Sequence, residues 1–491
     1  MEARRSEFAD LFADFVREAL QHQSSVEPEF RVLLREHLGA DPRELAVVAE
    51  QVADWDHGNL QLGLEAVLAE QESVRLVGIG GGQKRFMSLS LSDLVNERHF
   101  KPGSVEYENV EVGPGVSHPC VLYGLALVSD PSGAAVLLVR RGEQHGPDAG
   151  GMQVEAMSPV DGRAAALLAR LRAAMRERNV FRGQMFSLQT TLWGQVRAVF
   201  HERPGLRRDE VVLPEALLRD VERHTIAIGR RAEELRAAGR HLKRGLLLHG
   251  PPGTGKTHTV RWLAGELSGA TTIVLSGGAL GVAGPVCRLA RELAPSLVVL
   301  EDVDLVADER TMPGAGGYVL FELLNELDGM ADDADVAVVL TTNRPDLLEP
   351  ALAARPGRVD LAVEVPLPDE ECRRRLLDLY ASGLTLELAR PDEVVARTAG
   401  VTASFFRELM RQAALEATDG TRPAKTVVVQ DEHVAAALDR LLAHAGTLTR
   451  ILLGAEPGPG GGVTASPGPR AWLAYPQPDV STSVSIVRSE S

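Results

Sequence analysis

The sequence predicts an α/β fold: a parallel sheet covered by helices on both faces, closed by a helical lid and preceded by a helical segment and an α+β domain. Three observations carry that reading. A short apolar run, Gly245 to Leu248, leads through a glycine-rich turn into a helical stretch, Thr259 to Leu267. Four more apolar runs follow, at 271–275, 297–300, 336–341 and 362–365, and they alternate with helix-like stretches at 286–293, 318–327 and 347–354. Strands alternating with helices in this way form a parallel sheet with both faces covered. After Pro366-Leu-Pro368-Asp369 the pattern is helical from Glu370 to about Ala445, with only Thr426 to Val429 extended.

At 491 residues, with 44 % apolar content, the chain is long enough for several cores. The predicted division is a helical segment over 1–70, an α+β recognition domain over 71–204, a nucleotide-binding subdomain over 205–366, a helical lid over 367–446 and a Pro/Gly/Ser-rich tail over 454–491 expected to be disordered. Lys and Arg number 52 against 68 Asp and Glu, a net charge of −16. That balance argues against a large nucleic-acid surface. Cys120, Cys287 and Cys372 are far apart and show neither zinc spacing nor a disulfide framework, and the thirteen histidines contain no HExxH. This suits a reducing, cytoplasmic setting. No run of 18 apolar residues predicts a transmembrane helix, and the charged start has no signal-peptide core.

In chain order, Phe8, Leu11, Phe12, Phe15, Val16 and Ala19 share one helical face, and further helix-like segments run to about Glu70. Val74 to Val77 reads as a strand, with Gly78 to Gly82 as a turn between strands. Runs at 121–128 and 134–139 flank Asp130-Pro-Ser-Gly133, a hairpin signal, and Met152 to Met157 adds a strand. Leu167, Leu168, Leu171 and Met175 share a helix face, and Asn179 to Phe186 is expected to close this domain. Leu213 to Arg240 reads as helix feeding the first strand of the nucleotide sheet.

The turn that follows that strand is His249-Gly250-Pro251-Pro252-Gly253-Thr254-Gly255-Lys256-Thr257-His258. Strand, glycine loop and helix in this order, with Gly-x4-Gly-Lys-Thr spacing, make a phosphate-binding loop, so the sheet is of the P-loop NTPase type. The glycines let successive backbone N–H groups turn inward around phosphate oxygens, and the positive end of the next helix faces the same charge. Lys256 reaches the β- and γ-phosphates, and the Thr257 hydroxyl can ligate Mg²⁺.

The apolar run 297–300 ends in Glu301-Asp302-Val303-Asp304. One carboxylate there helps hold hydrated Mg²⁺ and one orients or deprotonates the attacking water. Asn343 ends the next strand at the same sheet edge, where an amide either meets the γ-phosphate or caps the strand. Arg355 and Arg358 flank a Pro-Gly turn, a placement suited to bidentate phosphate contact.

These motifs, GPPGTGKT, the acidic pair, TTNRPDLLEPAL and RPGRVD, resemble those of an AAA-family ATPase module in order and spacing, over about Leu213 to Ala445. The resemblance implies ATP and Mg²⁺ as cofactors, Asn343 as a sensor, and Arg355 and Arg358 acting on a neighbour's ATP in a homo-oligomeric, usually hexameric, ring. It places Arg407 where some relatives carry a second sensor arginine. The family's usual Asp-Glu pair is inverted here to Glu301-Asp302. In this, and in RPGRVDL, the chain resembles the branch of the mitochondrial translocase of folded Rieske protein, whose membrane anchor is not visible here. Position assigns Asp302 to the water and Glu301 to the metal, while side-chain length allows either role. Threading relatives carry an aromatic after the second strand; Ser276 to Gly284 has none. The expected activity is ATP hydrolysis that remodels a protein client chosen by residues 1–204. The alternatives are an ATP-binding switch with slow or no hydrolysis, and a nucleic-acid remodeller.

Overall fold

A computed structural model describes residues 27–80, 88–142, 151–191, 195–304, 334–346, 359–418 and 427–443. The first sheet is antiparallel. Its strands are β1 (Val47–Val52), β2 (Ser73–Gly80), β3 (Lys101–Gly103), β4 (Glu106–Gly113), β5 (Val116–Asp130), β6 (Gly133–Arg141) and β7 (Met152–Met157). Their order across the sheet is β1-β7-β6-β5-β2-β3, with β4 paired to β5. The β5–β6 hairpin forms at the expected turn, where the Ser132 N–H donates to the Asp130 carboxylate at 2.7 Å. Alternation in β5 and β6 sends side chains into two cores. Ala126, Val128, Leu137 and Val139 pack under helices α2 (His57–Ala69) and α4 (Arg163–Glu177). Leu125, Leu127, Val136 and Leu138 pack with Phe30 and Leu34 of α1 (Glu29–Leu38) and with Leu91 and Leu94 of α3 (Leu91–Asn96).

Two expectations change here. The described part of 1–70 is not a helical segment of its own: Val47–Val52 is a strand paired antiparallel with Met152–Met157, and α2 packs in the same core as α4. Gly78 to Gly80 lies inside β2 rather than in a turn. The face drawn from Phe8 to Ala19, Gly81–Gly82, the helices at 318–327 and 347–354, and the tail lie outside the described residues.

The second sheet contains β10 (Arg244–His249), β11 (Thr271–Ser276), β12 (Ser296–Glu301), β13 (Val336–Thr342) and β14 (Leu361–Glu364), all parallel. These are the five strands read from the sequence, and β10, β12 and β13 are apolar along most of their length because helices cover both faces. α5 (Glu215–Glu222), which the short α6 (Ala232–Ala237) follows, and α7 (Lys256–Glu266) pack on one face, and α8 (Ala283–Glu292) packs on the other. The start of β10 is held from below. Arg244, 3 % exposed, donates to the Asp335 carboxylate at 2.7 Å and to the carbonyls of Leu242 and Thr225.

The boundary expected at 204/205 moves. β8 (Met185–Thr190) and β9 (Val196–His201) form a hairpin that joins this second sheet, with β8 parallel to β11. The full order is β14-β10-β13-β12-β11-β8-β9. Asn179 to Phe186 therefore leads out of the first domain rather than closing it. The reason is packing: Phe181 stacks on both Phe186 and Phe200, with Phe181 and Phe186 centroids 4.4 Å apart, inside the core that also holds Ile273, Leu275 and Leu300. Burying each such ring is worth about 1.5–3 kcal/mol, which fixes the hairpin to the sheet.

The lid comprises α9 (Glu370–Tyr380), β15 (Leu384–Glu387), α10 (Pro391–Arg397), α11 (Ala403–Thr418), β16 (Val427–Gln430) and α12 (Asp431–Ala443) around Phe405 and Phe406. It is not all helix before residue 426, because Leu384–Glu387 pairs parallel with β16. Among the described residues no helix is long and apolar enough to cross a membrane.

Candidate nucleotide site

The site lies where the C-terminal ends of β10, β12 and β13 meet the start of α7 and the lid. The loop after β10 needs two of its glycines for space. A Cβ on Gly250, at φ +140°, would lie 2.4 Å from the Val365 carbonyl oxygen. On Gly253, at φ +79°, it would lie 2.4 Å from Ser404 Oγ. The loop is further tied by Thr254, whose hydroxyl donates to the Pro251 carbonyl at 2.9 Å, and by His258, whose Nε2 lies 3.2 Å from the Glu210 carbonyl.

Lys256 begins α7 and is 6 % exposed. Its Nζ donates to the carbonyls of Gly250 at 2.7 Å and Pro251 at 2.9 Å. Burial brings its pKa down to about 8, against the attraction of Asp302 and Asp304. A buried ammonium held chiefly by carbonyl dipoles, beside a glycine cradle, is chemically suited to phosphate oxygens.

The four positions after Leu300 do different things. Glu301 is half-buried, and burial raises its pKa, opposed by a hydrogen bond with the Thr257 side chain. Asp302 has a left-handed backbone, φ +51°. Its N–H donates to Thr341 Oγ1 at 3.0 Å, and its carboxylate accepts from Asn343 Nδ2 at 3.3 Å. Asp304 is 8 % exposed and accepts from Thr342 Oγ1 at 2.9 Å and from the Asn343 N–H at 3.2 Å. The structure therefore brings together Lys256, Thr257, Glu301, Asp302 and Asn343. Among the described residues no three His, Cys, Asp or Glu side chains could hold a metal by themselves. The Thr257–Glu301 pair fits an Mg²⁺ that keeps most of its water and shares the rest with phosphates.

Arg355 and Arg358 lie outside the described residues. Just beyond them, Asp360 is clamped to the start of β10: its carboxylate accepts from the Gly245 N–H at 2.7 Å, and its own N–H donates to the Gly245 carbonyl at 3.0 Å. Arg407 is exposed on α11, one turn past Ser404. The lid meets the phosphate loop at Ser404, whose N–H donates to the Gly253 carbonyl at 3.1 Å. The hydroxyls of Thr402 and Ser404 lie 2.9 Å apart.

The sequence pattern does not mark Asp304, Thr341, Thr402 and Ser404 as site residues. Asp304 stood in the acidic stretch already noted, and its apolar surroundings were the available signal. Thr402 and Ser404 carry no spacing signal, because their contact joins positions about 150 apart in the chain.

Residues 246–367 match the family model described as "ATPase family associated with various cellular activities (AAA)". An ATP-dependent zinc metalloprotease FtsH 2 from Sphaerobacter thermophilus is 39 % identical over 224 residues, 43 % of this chain and 33 % of that protein. The proteasome-activating nucleotidase of Methanothermobacter thermautotrophicus is 33 % identical over 241 residues, 46 % of this chain and 58 % of that protein. That of Methanocaldococcus jannaschii is 32 % identical over 232 residues, 44 % and 53 % respectively. The chain thus spans between a third and somewhat over half the length of these relatives.

Proposed function

We propose that this chain, which carries one AAA module matched over residues 246–367, hydrolyses ATP with Mg²⁺ to remodel a protein partner. The supporting observation is the convergence of the Lys256 ammonium, the Thr257–Glu301 pair and the Asp302–Asn343 pair at one sheet edge. Bound Mg²⁺ would neutralise charge between the β- and γ-phosphates. Within this arrangement Lys256 would hold phosphate oxygens, and Glu301 with Thr257 would hold the metal through its water. Asp302 takes the proton of the attacking water, and Asn343 orients the Asp302 carboxylate.

Arg355 and Arg358 would complete a neighbour's site, in a ring that is usually of six copies in this family. The partner would be bound by the domain before β8. The decisive measurement is steady-state phosphate release by the wild type and by Asp302→Asn. Release that is unaffected by this change would refute the assignment. The shorter Asp302 carboxylate, tied to Asn343 at 3.3 Å, favours a second reading: an ATP-binding switch with slow turnover. Tight ATP binding with no release over many minutes would select it.

A further inference from the structure

The segment after β11 is the part of the module that a threading ATPase would present to an extended chain. Here it is a 3₁₀ turn, Gly277–Val282, in which Ala279 and Leu280 are buried and Val282 is half-buried. Ala279 is 2 % exposed and Leu280 is 3 % exposed. Both lie in the core built by Phe181, Phe186, Leu188 and Phe200. The hairpin β8–β9 thus covers this turn and leaves Leu280 no surface with which to grip a polypeptide.

The same hairpin is tied at both ends. Towards the nucleotide, Ser276 sits opposite Glu301 in the β11–β12 register, and Leu275 sits opposite Leu188 in the β11–β8 register. Below it, the Arg203 guanidinium donates to the carbonyls of Ala264, Gly183 and Ala270. It thereby joins the end of α7, the entry to β8 and the entry to β11. Towards the first domain, the Val180 N–H donates to Asn59 Oδ1 at 2.7 Å, the Phe200 N–H donates to Glu111 Oε2 at 3.4 Å, and Trp55 packs on the aromatic core.

We propose that β8–β9 is a lever: displacement at Glu301 and Asp302 passes through β11 into the hairpin and moves the first domain. The output of the cycle is movement of that domain against whatever it holds, and the 277–282 turn exerts no traction on an extended chain. A parallel sheet with packed faces suits this, because it is stiff and transmits strain across neighbouring strands. The inference rests on the nucleotide reading above.

Hydrogen exchange on the full chain, with and without Mg²⁺ and a slowly hydrolysed ATP analogue, tests it. Slower exchange at 250–257 reports nucleotide binding, and its absence would overturn the nucleotide reading and this inference with it. With that protection present, exchange should also change over 185–201 and over 57–69. Protection confined to the phosphate loop would overturn the lever. Arg203→Lys should keep protection at 250–257 and lose the response at 185–201 and 57–69; a full response would count against the proposal.

The turn is read separately by thiol labelling, since Cys120, Cys287 and Cys372 are all buried. Leu280→Cys should be alkylated at least about tenfold more slowly than Val116→Cys, with or without nucleotide, because it reacts only through local opening. Val116 is 56 % exposed. Equal rates for the two in the nucleotide-bound state would show the turn emerging, and would sink the proposal.

Discussion

Burial of Lys256 makes ATP affinity dependent on pH in a range where ATP itself no longer titrates. In the free protein its pKa is lowered from 10.5 to about 8. Phosphate oxygens beside the ammonium favour the charged form, so binding restores the proton. Below pH 8 the lysine is already protonated and affinity is flat. Above pH 8 each further unit costs about 1.4 kcal/mol of binding. Affinity should therefore fall about tenfold between pH 7 and pH 9, with uptake of about 0.9 proton per ATP at pH 9. ATP contributes little there, because a terminal phosphate has its last pKa at about 6. Titration calorimetry in two buffers of different ionisation enthalpy measures both quantities. Lys256→Arg has no group that titrates in this range and should lose the slope, whatever its affinity. Folding stability should move the other way. Between pH 8 and 10.5 the unfolded chain holds a proton the folded one has released, so this group alone adds on the order of 3–4 kcal/mol as pH rises. A flat affinity from pH 7 to 9, with no proton uptake, would refute the placement of a buried Lys256 against the phosphates.

Three further outcomes are expected. Asp302→Asn should bind ATP and stop turnover in a phosphate-release assay; if Glu301→Gln is instead the dead variant and Asp302→Asn is active, the two roles are reversed. Lys256→Ala and Arg358→Ala, each inactive alone, should regain part of the activity when mixed, since a finger arginine is worth ~10³–10⁵ in turnover. Specific activity independent of concentration, in a protein that light scattering shows to be monomeric, would refute the ring. Asp335→Ala leaves the buried Arg244 guanidinium without its carboxylate at 2.7 Å and should cost about 3–5 kcal/mol, read as a lower urea midpoint for the module; an unchanged midpoint would show that the pair is dispensable.

The nucleotide sheet was legible because β10, β12 and β13 are buried on both faces, which writes each one as a mostly apolar run. The phosphate loop was legible because Gly250, Gly253, Lys256 and Thr257 each meet a requirement that few other residues meet. What failed to show was of another kind. Val47 and Val48 are 40 % and 36 % exposed on an edge strand, so β1 lacks the alternation that marks a half-buried strand. Leu384–Glu387 is only four residues long and sits among helices. The hairpin at 185–201 is absent from the sequence reading, and which sheet it joins depends on Phe181, Phe186 and Phe200 packing with Ile273 and Leu275 of β11.

The inverted acidic pair is the place where structure adds a physical reason to a sequence oddity. The backbone turns left-handed at the second position, φ +51°. Among side-chain-bearing residues, aspartate and asparagine visit that region most readily, because a short polar side chain can bond locally. At Asp302 the carboxylate also accepts from Asn343 Nδ2 on the neighbouring strand's end. The first position keeps an extended backbone at the end of β12, and there the longer glutamate reaches the Thr257 hydroxyl. A glutamate at 302 would face the left-handed backbone with a longer, more mobile chain, and an aspartate at 301 would have less reach towards Thr257. The order Glu-Asp therefore follows from the turn at residue 302, and Asp302→Glu should weaken turnover even though it places at the second position the glutamate usual in the family.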